Sequence, residues 1–111
     1  MKINFSNNKI IAKDIKHVGK ILKSGWLTHG KNTINFENEF KKFTGAKFAI
    51  TISSCTAGLH LSCMALNLNK DDEVIVPSQT HVATAHAVKL TGAKPIFCDV
   101  DYLTGLINLE E

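Results

Sequence analysis

The chain has 111 residues, 44% of them hydrophobic and 21% charged, with only two prolines, a composition that suits one small globular domain and excludes a disordered or low-complexity polypeptide. Its net charge is +3 and all thirteen basic residues are lysines, so no guanidinium is available to clamp a carboxylate or phosphate bidentately. An anionic ligand must be held by backbone amides, hydroxyls or lysines, and the lack of a basic run interleaved with exposed aromatics argues against nucleic acid as a partner.

Residues 11–24 place Ile11, Ile15, Val18 and Leu22 at helical spacing with lysines between them, and Gly25 supplies a stop. A turn-rich link, Gly25-Trp26-Leu27-Thr28-His29-Gly30, follows. Residues 33–44 read as a second helix with Phe36, Phe40 and Phe43 on one side, ended by Gly45. The rhythm then changes. Phe48-Ala49-Ile50-Thr51-Ile52 has no polar face, as expected of a strand buried on both sides. Residues 57–67 read as a helix, Glu73-Val74-Ile75-Val76 as a strand closed by Pro77, residues 81–91 as an alanine-rich helix stopped by Gly92, and Pro95-Ile96-Phe97-Cys98 as a third strand.

Strand, helix, strand, helix, strand at these intervals predicts an α/β fold with a parallel βαβαβ run and helical crossovers. A sheet of this kind needs helices on both faces, and only two crossover helices follow the N-terminal pair. The chain therefore reads as incomplete and is expected to expose apolar faces. Cys55, Cys63 and Cys98 are odd in number and lack paired metal spacing. With no secretory leader and no membrane-length apolar run, the expectation is a cytoplasmic protein with reduced thiols and no membrane partner.

Ligands of open parallel sheets bind at the carboxyl ends of the strands. Ser53-Ser54-Cys55-Thr56-Ala57-Gly58 joins the first strand to its helix, where unsatisfied N–H groups and the positive dipole end suit a phosphate; simple N-capping explains the same residues. Pro77-Ser78-Gln79-Thr80-His81 puts an imidazole at the same face, either to stack on a flat cofactor ring or as an ordinary surface residue. Asp99 and Asp101 could bind metal or do acid–base work, or cap and solvate a turn. A metal site from Cys55, Cys98, His81 and His60 has no recognised chelating pair, so no metal is expected. Cys55 as a helix-start nucleophile lacks an identifiable acid–base partner.

In order along the chain, these segments resemble the DegT/DnrJ/EryC1/StrS family, fold-type-I pyridoxal-phosphate (PLP) enzymes that install amino groups on nucleotide-activated keto-sugars. The matching stretches are residues 25–30, Phe36-Glu37 through Phe40, residues 53–60, 72–85 and 92–101, five segments in register from about residue 10 onward. The resemblance implies that residues 1–31 form an N-terminal helix and substrate-side linker, and residues 32–111 an incomplete large PLP-binding domain. It implies PLP as cofactor, with Cys55 and Thr56 holding its phosphate through backbone N–H groups and the Thr56 hydroxyl, His81 stacking on its ring, and Thr28 near the substrate entrance. It further implies transfer of an amino group from glutamate to a nucleotide-linked keto-sugar, for cell-surface polysaccharide or secondary-metabolite biosynthesis, by a cytoplasmic homodimer. Many members carry Gly or Ala where this chain has Cys55.

No catalytic residue is assigned within the chain. In the resembled family the Schiff-base lysine lies beyond the position of Glu111, and neither Lys89, within a predicted helix, nor Lys94, at the amino end of a strand, replaces it. The expectation is that the chain alone is inactive. Two alternatives stay open: a non-catalytic or regulatory PLP- or phosphate-binding module, and a PLP-dependent sugar dehydratase relative. A free-standing Rossmann-like nucleotide binder is disfavoured because residues 53–58 lack a GxGxxG pattern.

Overall fold

A computed structural model describes residues 3, 6 and 8–110. It contains α1 (Ala12–Lys23), α2 (Lys31–Thr44), α3 (Cys55–Ala65), β1 (Glu73–Pro77), α4 (Val82–Lys89) and β2 (Lys94–Cys98). The chain divides into two compact units, Met1–Thr51 and Ile52–Glu111.

In the first unit, α1 begins where the Asp14 carboxylate accepts the Ile11 N–H at 3.1 Å, satisfying one of the donors a helix start leaves free. Lys20 and Lys23 occupy its last turn, where cations favour the negative dipole end. Its apolar stripe is open: Ile15 is 65% and Leu22 61% exposed. The second helix starts two residues before the predicted Thr33 because Gly30 serves as its N-cap. It stops at Gly45, whose φ of +73° is a left-handed conformation that glycine adopts without Cβ strain. The Phe36 and Phe40 rings lie 6.0 Å apart on α2.

The second unit is built on a parallel pair, with Ile75 opposite Ile96 and Val76 opposite Phe97. Lys94 Nζ meets Glu73 Oε1 at 2.9 Å at the start of the pair. The α4 helix packs against α3 and against both strands, and Ala83, Ala85, Ala87 and Val88 are all buried on it. Alanine on both sides of a helix lets two neighbours approach closely, which explains the alanine-rich segment at this place. The core is Val76, Val88 and Ala93, flanked by Cys63, Leu68 and Val74. Beyond β2 the chain turns back on itself, pairing Val100 with Ile107 in an antiparallel bridge.

The mixed α/β architecture with a parallel pair agrees with the predicted fold class, but only two of the three predicted strands form among the described residues. Residues 48–52 form no ladder, and Phe48 and Ile50 are 74% and 81% exposed. Apolar β-rich sequence supplies the side chains of a buried strand, but the strand itself requires a neighbour whose N–H and C=O groups pair with it. No described residue provides that edge. The open faces expected from the sequence are present in both units. No helix among the described residues is long and apolar enough to cross a membrane.

Candidate functional site

Two helix starts carry the candidate ligand contacts. At α3, Ser54 is extended and its hydroxyl accepts the Ala57 N–H at 3.1 Å. The helix thus begins at Cys55, two residues before the predicted start, because Ser54 supplies the cap. The Gly58 N–H bonds to the Ser54 carbonyl at 3.2 Å. The N–H groups of Cys55 and Thr56 have no hydrogen-bond partner among the described residues, and both residues are exposed. Two amide donors without a partner, on residues flanked by small neighbours, thus lie at a positive dipole end, a setting that suits an anion such as a phosphate.

At α4, His81 is the N-cap residue, and its Nδ1 accepts the Ala83 N–H at 3.1 Å. That bond requires Nδ1 to be unprotonated, so the neutral ring carries its proton on Nε2. The imidazole is exposed beyond the cap. A flat ring held at a fixed angle is suited to stacking. Beside it, Thr80 and Thr84 hydroxyls bond each other at 2.9 Å.

The two starts lie at the same end of the second unit. Each helix runs back to feed the amino end of the next strand, and the strands are parallel. The opposite ends of α3 and α4 also meet, bordering an open groove of about 560 Å³ lined by His60, Met64, Asn67, Leu68, Leu90 and Thr91. Cys55, Thr56 and His81 are accordingly brought to the carboxyl end of the parallel pair. Thr28 belongs to the first unit, in an exposed turn where the Trp26 indole N–H donates to the His29 carbonyl at 3.0 Å.

The Asp99–Asp101 segment is occupied with its own turn. Asp99 Oδ1 accepts from the Val100 N–H at 2.8 Å and the Ser78 hydroxyl at 3.3 Å. Asp101 Oδ1 accepts from the Thr104 hydroxyl, the Thr104 N–H and the Leu103 N–H. Those bonds, the Thr104 hydroxyl foremost, hold the Asp101 carboxyl below the usual carboxylate range. Both carboxylates are thus engaged, where the sequence allowed one to be merely solvated. Among the described residues, no group of three or more His, Cys, Asp or Glu side chains gathers as a metal site would require.

One residue of consequence escaped the sequence reading. Glu37, half-buried on α2, accepts both the N–H and the hydroxyl of Thr51 on one oxygen, each at 2.8 Å. His29 Nε2 stands 4.0 Å from the same oxygen. The Thr51 bonds, backbone first, draw the Glu37 carboxyl below its ordinary range, with His29 and Lys41 adding to the effect. The only signal in the sequence was its place in the Phe36-Glu37 stretch, and nothing local announces a partner fourteen residues away.

The family model described as the DegT/DnrJ/EryC1/StrS aminotransferase family matches residues 8–111. An uncharacterized protein of Methanocaldococcus jannaschii is 48% identical over 99 residues, covering 89% of this chain and 26% of that protein. The UDP-4-amino-4-deoxy-L-arabinose–oxoglutarate aminotransferase of Shewanella sediminis is 45% identical over 92 residues, covering 83% of this chain and 24% of that enzyme. The chain thus spans about a quarter of the length of the curated relatives it matches. Among solved structures, Spr1654 of Streptococcus pneumoniae, described as a sugar aminotransferase and solved in its PLP form, superposes with a TM-score of 0.87 at 31% identity, over 99% of this chain and 28% of that one. A GDP-4-keto-6-deoxymannose-3-dehydratase with a trapped PLP–glutamate geminal diamine gives a TM-score of 0.84 at 26% identity, over 98% of this chain and 30% of that one.

Proposed function

The chain belongs to the DegT/DnrJ/EryC1/StrS aminotransferase family, and from that premise we propose that the whole protein transfers an amino group from glutamate to a nucleotide-linked keto-sugar with PLP as cofactor. Residues 32–111 supply part of the PLP-binding domain in this reading, and residues 1–31 a helix and linker on the substrate side. The observation that carries it is the pair of unpartnered amide donors at Cys55 and Thr56, set at the same end of the parallel pair as the His81 ring. A phosphate monoester joined to a flat aromatic ring matches those two features together. The names of the Shewanella enzyme and the dehydratase, with oxoglutarate and glutamate respectively, support the donor and the sugar-nucleotide class.

The residues fit the cofactor by the chemistry of their donors. The Cys55 and Thr56 N–H groups and the Thr56 hydroxyl would bind its phosphate, and the His81 face would orient its ring. Because the phosphate contacts are mostly main-chain, the Cys55 thiol does not disturb them, and the absence of arginine is accommodated. PLP supplies the electron sink for carbanion chemistry next to the migrating nitrogen. The neutral His81 ring keeps a proton on Nε2, available to donate to an acceptor at the site's mouth. Thr28 presents a hydroxyl from the exposed turn of the first unit, suited to a sugar hydroxyl. Self-association into a homodimer and a cytoplasmic location belong to the same proposal.

The experiment is to supply the full-length protein with PLP, glutamate and a panel of keto-sugar nucleotides, and to measure oxoglutarate and amino-sugar formation. Stoichiometric release of both supports the reading. A PLP-loaded protein that yields a deoxy-sugar without incorporating nitrogen supports dehydration instead, the second reading that the likeness to the dehydratase favours. A regulatory module would bind PLP or phosphate and turn over neither.

A further inference from the structure

Where β1 and β2 end, one side chain spans the gap that opens between them. The pair runs in register to Pro77 opposite Cys98, and the Ser78 N–H donates to the Cys98 carbonyl at 2.8 Å. The two chains then part, one toward α4 and the other into the turn after β2. At this fork Asp99 Oδ1 accepts both the Ser78 hydroxyl at 3.3 Å and the Val100 N–H at 2.8 Å. Asp101 makes the contrast: its bonds to Leu103 and Thr104 stay within three residues, whereas Asp99 reaches a residue twenty-one positions away. The next residue of the loop leans the same way. Gln79 Oε1 lies 3.6 Å from where a Cβ on Gly105 would stand, against the turn closed by the Val100–Ile107 bridge. Local bonds then carry the loop to the helix start, from the Thr80 N–H to the Ser78 carbonyl at 3.2 Å and from the Thr84 N–H to the His81 carbonyl at 3.0 Å. All these residues belong to the second unit.

We propose that Asp99 is a positioning residue for the His81 ring: its carboxylate ties the loop at Ser78 to the turn after β2, and so sets where the ring stands at the carboxyl end of the parallel pair. The proposal rests on the stacking role proposed for His81. The ladder bond fixes the Ser78 backbone at one point, which leaves the residues after it free to swing about that point. A second bond, from the Ser78 side chain, restricts that swing before the cofactor arrives. Cofactor binding then does not have to bear the entropy of ordering the loop. Stacking also depends on the offset and tilt of the two rings, so a loop that wanders weakens the contact while every contacting group is still present.

The test compares the full-length protein with its Ser78→Ala, Asp99→Ala and Asp99→Asn variants. It uses PLP titration, visible circular dichroism of the bound cofactor, and hydrogen exchange at the Thr80 and Ala83 amides without cofactor. Ser78→Ala deletes the tie and leaves the Val100 bond of Asp99 in place. It is expected to speed exchange at both amides and to weaken PLP binding about two- to fivefold, the scale of one such hydrogen bond. The dichroism, which reports how the cofactor ring is held, should diminish with it. Asp99→Ala is expected to do the same and to lower the melting temperature as well, while Asp99→Asn keeps an acceptor oxygen and restores most of the affinity and dichroism. Parental affinity and dichroism in Ser78→Ala and Asp99→Ala overturn the proposal, whatever happens to the melting temperature. Should Asp99→Ala fail to fold, Ser78→Ala decides, and parental values in that variant overturn it equally. If the unmodified protein binds no PLP, the stacking reading falls by itself. Faster exchange in Ser78→Ala then still supports the tie that places His81, and unaltered exchange overturns it.

Discussion

Replacing His81 separates the capping seen at the start of α4 from the ring stacking proposed for the same side chain. Its Nδ1 closes the start of α4 by accepting the Ala83 N–H at 3.1 Å, and losing such a cap costs about 1 kcal/mol. Its face is the proposed stacking surface, and an aromatic pair contributes about 0.5–1.5 kcal/mol beyond area. His81→Asn keeps a strong cap and removes the ring, so the cofactor-free protein should melt like the parent while PLP binding weakens about two- to tenfold. His81→Phe does the opposite, keeping the flat face and leaving the Ala83 N–H without its acceptor. It should lower stability by about 1 kcal/mol and leave PLP affinity close to the parent's. Urea melts of the cofactor-free protein and a PLP titration monitored by absorbance read the two effects independently. Equal losses in both assays for both variants would refute the separation, as would a His81→Phe protein with unaltered stability.

Ser54→Ala removes the acceptor for the Ala57 N–H and should destabilise the protein by about 1 kcal/mol in a denaturant melt; an unchanged midpoint would show that α3 is capped otherwise. Gly30→Ala would set a Cβ 2.5 Å from Nε1 and 2.8 Å from Cδ1 of Trp26. The rigid indole must then leave the His29 carbonyl, and emission from the chain's single tryptophan should shift; an unaltered spectrum would contradict the contact. Asp101 has a folded-state pKa below its ordinary 3.8, so its contribution is present above that ordinary value and is lost as pH falls through the lowered one. Asp101→Asn should therefore flatten the acid limb of stability between about pH 5 and pH 2, and an identical limb in both proteins would count against the turn.

Helices were legible because their signals are local. Apolar spacing and the Gly25 and Gly45 stops marked α1 and α2 to within about two residues. Strands β1 and β2 were legible because each lies between a turn and a glycine-stopped helix, and they found each other as partners. Residues 48–52 carry the same composition and still form no strand, since pairing is a property of the neighbour and not of the segment. At the site, helix-start chemistry identified residues 53–56 and 81 as candidates. The capping action of His81 was hidden because imidazole is not a favoured cap, and the Glu37–Thr51 bonds were hidden because they are made across chain distance by residues that look unexceptional alone.

The cap at α4 also constrains how this position can drift. One side chain both presents a ring and closes a helix, so a change to a purely aromatic residue strands the Ala83 amide unless a new acceptor arrives with it. The hydroxyl of the adjacent Thr80 is already shared with Thr84. Lineages that exchange the imidazole for a phenyl or phenol ring are therefore expected to change at position 80 or 84 as well, leaving a correlated signature around α4.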